Sequence, residues 1–277
     1  MRWRLSFALI VSASASLADP LTFLRSMPLT GLGGVSAIEV EPGGSPAFVL
    51  SDRGTGHRFA INRAGETGHI SEVAGVKLPF RHRDTEGLAT SDTSTFYSYE
   101  FPGEVSTSTG TKLPSHPDFA TFPKNGALEA LAATPDGILY TLPENPDTGD
   151  APFPIYRYRD GTWDIVAYLP RTGPFQPTGA DIGPDGLLYI LERSFSILGF
   201  RTRIRRVDPE AAAPVAETLL TTDLGTHDNL EGLSIWQSDS GATCLTLVSD
   251  DNFLRVMRNE LVEYALTETL AGGASCD

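Results

Sequence analysis

Apolar and polar residues alternate along this chain in short runs that come in pairs, each pair joined by a turn and ending on an acid. Residues 35–38 lead to 50–53, 85–89 to 97–100, 128–132 to 139–144, 177–180 to 188–193, and 230–234 to 247–251. Brief period-two alternation bounded by turn residues is the signature of strands. The turns inside the pairs are Pro42-Gly43-Gly44, Asp92-Thr93, Pro135-Asp136-Gly137, Pro184-Asp185-Gly186 and Asp239-Ser240-Gly241, all hairpin chemistry. Between pairs, further alternating runs supply outer strands: 58–62 and 69–73, 155–159 and 163–167, 203–207, 254–257 and 261–264. No stretch keeps a helical period. Strand repeats of roughly 40–50 residues read as propeller blades. The pattern therefore predicts an all-β chain, a single β-propeller of five four-stranded blades. Residues 21–25 form one more strand, which either closes the ring onto the last blade or belongs to a degenerate sixth.

Length and composition agree with one such domain: 277 residues, 40% hydrophobic and 20% charged, enough to bury a sizeable core. The first 18 residues are read apart from it. A basic Met1-Arg2-Trp3-Arg4, an apolar stretch over 5–17 and the small residues of Ser16-Leu17-Ala18 make a signal peptide, so residues 19–277 are the expected mature propeller, periplasmic or secreted. Its apolar stretch is short for a membrane span, and no other segment is long and apolar enough. Loss of Arg2 and Arg4 takes Lys+Arg from 21 to 19 against 35 acids and leaves a formal charge of −16. An acidic surface repels phosphate backbones and anionic lipid, so nucleic acid and membrane surfaces are excluded as partners. A small-molecule ligand and a monomer are expected. In an oxidising compartment Cys244 and Cys276 have the option of a disulfide that pins the tail to the last repeat. A floppy Gly272-Gly273 tail leaves them apart.

Aligned on their turns, the repeats place Ser36, Glu86, Glu129, Thr178 and Glu231 at one position, the start of the strand that lines a propeller's channel. Carboxylates facing one axis raise each other's pKa, and a hard divalent cation, Ca²⁺ above all, relieves them with its demand for six to eight oxygens. Glu86, Glu129 and Glu231, with Asn229, are the predicted metal ligands, and the three glutamates are also the predicted catalytic groups. Asn125, Asn145 and Asn252 stand near acids in sequence and offer further amide oxygens. The closing acids Asp52, Glu100, Glu144, Glu192 and Asp250 make a second ring, read as structural: an acid reused in every blade can cap backbone N–H groups or pair with an arginine. Arg53 and Arg193 directly follow two of them. These two arginines, with Arg81 and Arg83 of the basic run before Asp84, are the predicted substrate-binding cations. Arg201, Arg203 and Arg205 alternate on one strand and are read as an exposed face, and His57 and His227 as loop histidines. No Gly-x-Ser-x-Gly, His-Glu-x-x-His or Walker-type loop is present.

Ser51-Asp52-Arg53-Gly54, Asp84-Thr85-Glu86-Gly87-Leu88, Asn125-Gly126-Ala127-Leu128-Glu129-Ala130-Leu131, Leu191-Glu192-Arg193, Asn229-Leu230-Glu231-Gly232-Leu233 and Ser249-Asp250-Asp251-Asn252 together resemble the phytase-like family, labelled "esterase-like activity of phytase". The likeness runs over about residues 30–265 and keeps the motif order. It implies a β-propeller in an exported bacterial protein and hydrolysis of phosphoesters or esters. The function expected is therefore a metal-dependent hydrolase working at a central acidic channel. A calcium-dependent lactonase-like enzyme and a non-catalytic periplasmic binding propeller are the alternatives.

Overall fold

The structure, a computed structural model, describes residues 19–65, 67–79, 84–101, 103–146 and 149–277. The predicted signal peptide and the basic pair Arg81 and Arg83 lie outside the described residues. Where the sequence alternates, the chain forms antiparallel strands. β1 (Leu21–Pro28) precedes the first blade, which is β2 (Val35–Val40), β3 (Ala47–Ser51), β4 (Thr55–Asn62) and β5 (His69–Val76). The second blade is β6 (Thr85–Thr90), β7 (Thr95–Tyr99) and β8 (Glu104–Thr107). The third is β9 (Leu128–Ala133), β10 (Leu139–Pro143), β11 (Phe153–Arg159) and β12 (Thr162–Leu169). The fourth is β13 (Gln176–Ile182), β14 (Leu188–Ser196), β15 (Gly199–Val207) and β16 (Glu217–Thr221). The fifth is β17 (Leu230–Gln237), β18 (Thr243–Ser249) and β19 (Glu260–Leu266).

The inner strands β2, β6, β9, β13 and β17 pack each against the next, and β17 against β2, so five blades close a ring. The choice left open for residues 21–25 resolves toward closure: β1 pairs antiparallel with β19 and becomes the outer edge of the fifth blade. The outer strands of that blade were expected from residues 254–257 and 261–264; the second lies in β19, and the first forms turns instead. With β1 already bonded to β19, residues 254–257 are not needed in the sheet, and Leu254 and Val256 stand exposed. The second blade has three strands in register, and its outer edge is an isolated bridge between Ser106 and Lys112.

The core is divided among the blade interfaces. Ile38, Val49, Trp236 and Val248 pack between the first and fifth blades. Leu191, Ile204, Leu233 and Leu245 lie between the fourth and fifth. Leu142, Ile155, Leu188 and Ile190 fill the next interface, Phe96, Leu131 and Tyr156 the one beyond, and Leu50, Leu88 and Tyr97 complete the circuit. Burial on both faces explains why inner and second strands read as almost continuous apolar runs while outer strands alternate. The only helices among the described residues are two short 3₁₀ turns, Pro117–Thr121 and Thr267–Gly273. A disulfide joins Cys244 on β18 to Cys276, so the tail is pinned.

Candidate functional site

Every blade begins its inner strand with the same irregularity. In the pairing of inner and second strands the register slips past Ser36 in the first blade, across Glu86-Gly87 in the second, and past Glu129, Thr178 and Glu231 in the others. These are β-bulges, and a bulge leaves its extra residue unpaired and re-aims its side chain. The five aligned positions are thus five bulges around the ring. Their use differs. Ser36 donates its hydroxyl to the carbonyl of Thr85 at 2.8 Å, and Thr178 to that of Leu230 at 3.3 Å, so the hydroxyls clip each blade to its neighbour. Glu86, Glu129 and Glu231 instead line a cavity of about 360 Å³ at the channel mouth. Below them the channel narrows to about 10 Å³ between the inner strands, room for about one water.

The second strands end at the same mouth, and their register corrects the second ring. Ser51, Tyr99, Pro143 and Ser249 pair with the residue before the bulge in their blades, and the acid that follows each, Asp52, Glu100, Glu144 and Asp250, lines the cavity. In the fourth blade it is Glu192 that pairs with Pro177, the residue before the bulge. The equivalent of the other closing acids is therefore Arg193, and Glu192 is one residue early. Glu192 faces into the blade, fully buried between Arg203, at 2.6 and 2.9 Å, and Arg205, at 2.7 and 2.6 Å. Arg203 and Arg205, expected on an exposed face, are buried by that clamp.

Among the described residues the cavity gathers eight carboxylates, Asp52, Asp84, Glu86, Glu100, Glu129, Glu144, Glu231 and Asp250, around one guanidinium, that of Arg193, with Asn125 and Asn252 beside them. Arg193 neutralises one side. It donates to Glu144 at 2.7 Å, to Glu231 and to Asn229. Asn229 is buried behind the wall and also donates to Glu231 at 2.8 Å. The opposite side has no such partner among the described residues. There Asp84, Glu86 and Glu100 bring one oxygen each within 4.8 Å of one another, and the buried Oδ1 of Asp52 has no hydrogen-bond partner. Asp84 was not among the sequence-predicted ligands. It stands directly before β6 rather than in either ring, and only its place near a ring glutamate in the chain hinted at it.

Other predicted groups fall elsewhere. Arg53 lies outside the cavity with its guanidinium 3.4 Å from the centre of the Phe253 ring. His227 is buried, its Nε2 2.6 Å from the hydroxyl of Tyr264, and His57 sits on β4.

Crowding sets the proton affinities. Burial, then Glu129 and Glu231, hold the Glu86 carboxyl well above the usual range. Burial and Glu144 do the same to Glu129. Glu231 is raised by burial in spite of Arg193. Burial, against a hydrogen bond from the Gly126 N–H and with Asp84 adjacent, pushes Glu100 up to about 7. Burial and Glu231 push Asp250 up to about 7. Such a cluster holds either protons or a cation. Two oxygens on one Ca²⁺ ion stand at most about 4.6–5.2 Å apart, and Asp84, Glu86 and Glu100 keep theirs within 4.8 Å of one another. The residues present therefore fit a hard divalent cation on that side.

No helix among the described residues is long and apolar enough to cross a membrane. No curated protein matches the chain. Among solved structures, the calcium-binding protein regucalcin from Agrobacterium tumefaciens superposes with a TM-score of 0.50 at 11% identity, over 88% of this chain and 95% of that one. A protein of unknown function from Bacteroides caccae gives a TM-score of 0.37 at 12% identity, over 76% of this chain and 67% of that one. In sequence, residues 30–253 match the model of the phytase-like family, "Esterase-like activity of phytase". With most of the propeller inside that match, the chain belongs to the phytase-like family.

Proposed function

We propose that this protein is an exported, monomeric, metal-dependent hydrolase of small phosphoesters or esters, with Ca²⁺ held by Asp84, Glu86 and Glu100 at the channel mouth. The observation that carries the reading is the side of the cavity where no described cation pairs with the acids: three carboxylate oxygens within 4.8 Å and an orphaned Asp52 oxygen beside them. The regucalcin neighbour, described as calcium-binding, supports the choice of ion through a shared fold. A bound cation supplies charge that polarises a substrate oxygen and acidifies water. The chain's residues do the rest. Arg193 holds Glu144 and Glu231 away from the ion by pairing with them. Asp250, fixed by the backbone N–H of Asn252 at 2.7 Å and pushed up to about 7, is matched to take a proton near neutral pH. The narrow channel below closes the cavity to one side. Export accords with the Cys244–Cys276 disulfide, and N-terminal sequencing of protein from the periplasm or medium is expected to begin near Asp19.

The test is a melting curve of chelator-treated protein with and without Ca²⁺. At a hundredfold excess over Kd a single site adds about 2.7 kcal/mol. Glu100→Gln or Glu86→Gln is expected to remove most of that shift. A native protein whose Tm ignores Ca²⁺ and other divalent ions overturns the metal reading. A screen with p-nitrophenyl phosphate, p-nitrophenyl acetate and a lactone then assigns the reaction. A calcium shift with no turnover in any arm leaves a calcium-dependent binding propeller.

A further inference from the structure

Exposed apolar side chains stand on the loops next to the cavity mouth. The β14–β15 hairpin runs on past the cavity wall, and at its tip Phe195, Ile197 and Leu198 are 68%, 96% and 77% exposed. Side chains two apart on a strand share a face, so Phe195 lies on the face of Arg193, about 7 Å farther toward solvent. Its ring meets that of its cross-strand partner Phe200 at 5.1 Å. The rim continues from there. The N–H of Gly225 donates to the carbonyl of Phe200, setting exposed Leu224 beside the hairpin. The guanidinium of Arg258 donates to the carbonyls of Gly225 and Thr226, which ties in the loop bearing Val256, 90% exposed. An apolar arc thus borders the cavity on the side of Arg193, across from Asp84, Glu86 and Glu100. The charges point to the same kind of ligand. Among the described residues lining the cavity the one cation, Arg193, is already committed to Glu144 and Glu231, and Arg53 is stacked on Phe253. Among the described residues of the cavity no cation is left to hold a second or third phosphate.

Building on the hydrolase reading above, we propose that this arc is the binding wall for the acyl chain of an uncharged ester whose carbonyl reaches the carboxylate cluster, so that the substrates are apolar esters and not polyanionic phosphoesters. The test uses the calcium-loaded protein and a double variant, Phe195→Ser with Leu198→Ser, both at exposed positions whose loss leaves the blades intact. A fully buried methylene is worth about fourfold in binding, so native kcat/KM is expected to rise at least about tenfold from p-nitrophenyl acetate to the octanoate. In the variant the octanoate-to-acetate ratio shrinks to about twofold, through KM for the octanoate. An unchanged chain-length profile in the variant, or a native preference for p-nitrophenyl phosphate, overturns the proposal. Titration with 2-decanone, an uncharged ketone that cannot be hydrolysed, separates the wall from the chemistry. Native binding that the variant loses, without turnover of any ester, keeps the wall and removes the hydrolase reading. No native binding of 2-decanone removes the wall.

Discussion

Arg193 stands where four other blades carry a carboxylate, and its partners Glu144, Glu231 and Asn229 depend on it. Removing one member of a largely buried ion pair costs about 3–5 kcal/mol, because the remaining charge stays desolvated. Arg193→Met is therefore expected to destabilise the calcium-free protein by about 3 kcal/mol. Added Ca²⁺ should restore part of the loss, since the freed glutamates then accept the ion. Urea unfolding with and without chelator checks both. A second residue-scale device sits at the far end of the inner strands. Asp181 accepts backbone N–H groups from Ile182 at 2.7 Å and Ile235 at 2.6 Å, and burial still pushes it up to about 7. Burial and the nearby Asp181 hold Glu39 well above its usual range. A carboxyl whose pKa is raised by folding binds more protons folded than unfolded, so its stabilisation is complete below the usual carboxylate range and is lost as pH rises toward 7. For Asp181 the loss is on the order of 3–4 kcal/mol between about pH 4 and 7. Asp181→Asn should make that slope shallower in saturating calcium, where Asp84, Glu86 and Glu100 are held by the ion. An equally steep slope in the variant would assign the dependence elsewhere.

The bulged inner strand is the element that turns a β-repeat into a site, and it also fixes how tightly the ring closes. A Cβ on Gly179 would lie 2.4 Å from the carbonyl oxygen of Glu231, and one on Gly232 2.6 Å from Val248 and 3.0 Å from the Cα of Ala37. Glycine follows the bulge where the neighbouring inner strand comes closest. Gly179→Ala is expected to cost about 1–3 kcal/mol through overpacking, read as a fall in Tm of roughly 2–4 °C per kcal/mol, because the obstacle is backbone and cannot rotate away. At this scale the sequence was readable where local rules decide. Period-two alternation and Pro-Asp-Gly turns marked the strand pairs, and aligning on the turns found all five bulge positions. It failed where tertiary register decides. The hairpins differ in length from blade to blade, so spacing alone does not separate Glu192 from Arg193. The cross-strand partner Pro177 does. The same slip of one residue made Arg203 and Arg205 look like a solvated face, when Glu192, turned inward, needs both. Asp84 escaped notice for a related reason: it lies outside the repeat, and only the folding of β6 against β7 brings it to Glu100.

For the whole molecule, the question is how a ring made from one chain is fastened. β1, from the beginning of the described chain, supplies the edge strand of the blade that ends it, and alternation alone left that strand's destination open because its partner lies at the other end of the sequence. The tail reinforces the junction. Cys276 is bonded to Cys244 on β18, the carboxylate of Asp277 pairs with Arg25 on β1, and Arg25 also donates to the carbonyl of Arg63 in the first blade at 2.6 Å. The tail thus spans the seam between the last blade and the first. Cross-linking residues separated by 32 positions removes chain entropy from the unfolded state worth roughly 3–4 kcal/mol. Cys276→Ser, or reduction of the native protein, should lower Tm by about 10 °C on the usual scaling for a domain near this size. Asp277→Ala, which removes only an exposed partner of Arg25, should move Tm by less than about 2 °C. If the fifth-blade seam is where the ring opens first, hydrogen exchange in reduced protein will quicken in β1 and β19 before the inner strands of the second, third and fourth blades. Uniform quickening around the ring would instead mean that the disulfide acts through the unfolded chain alone, and that β1 needs no help in holding the ring shut.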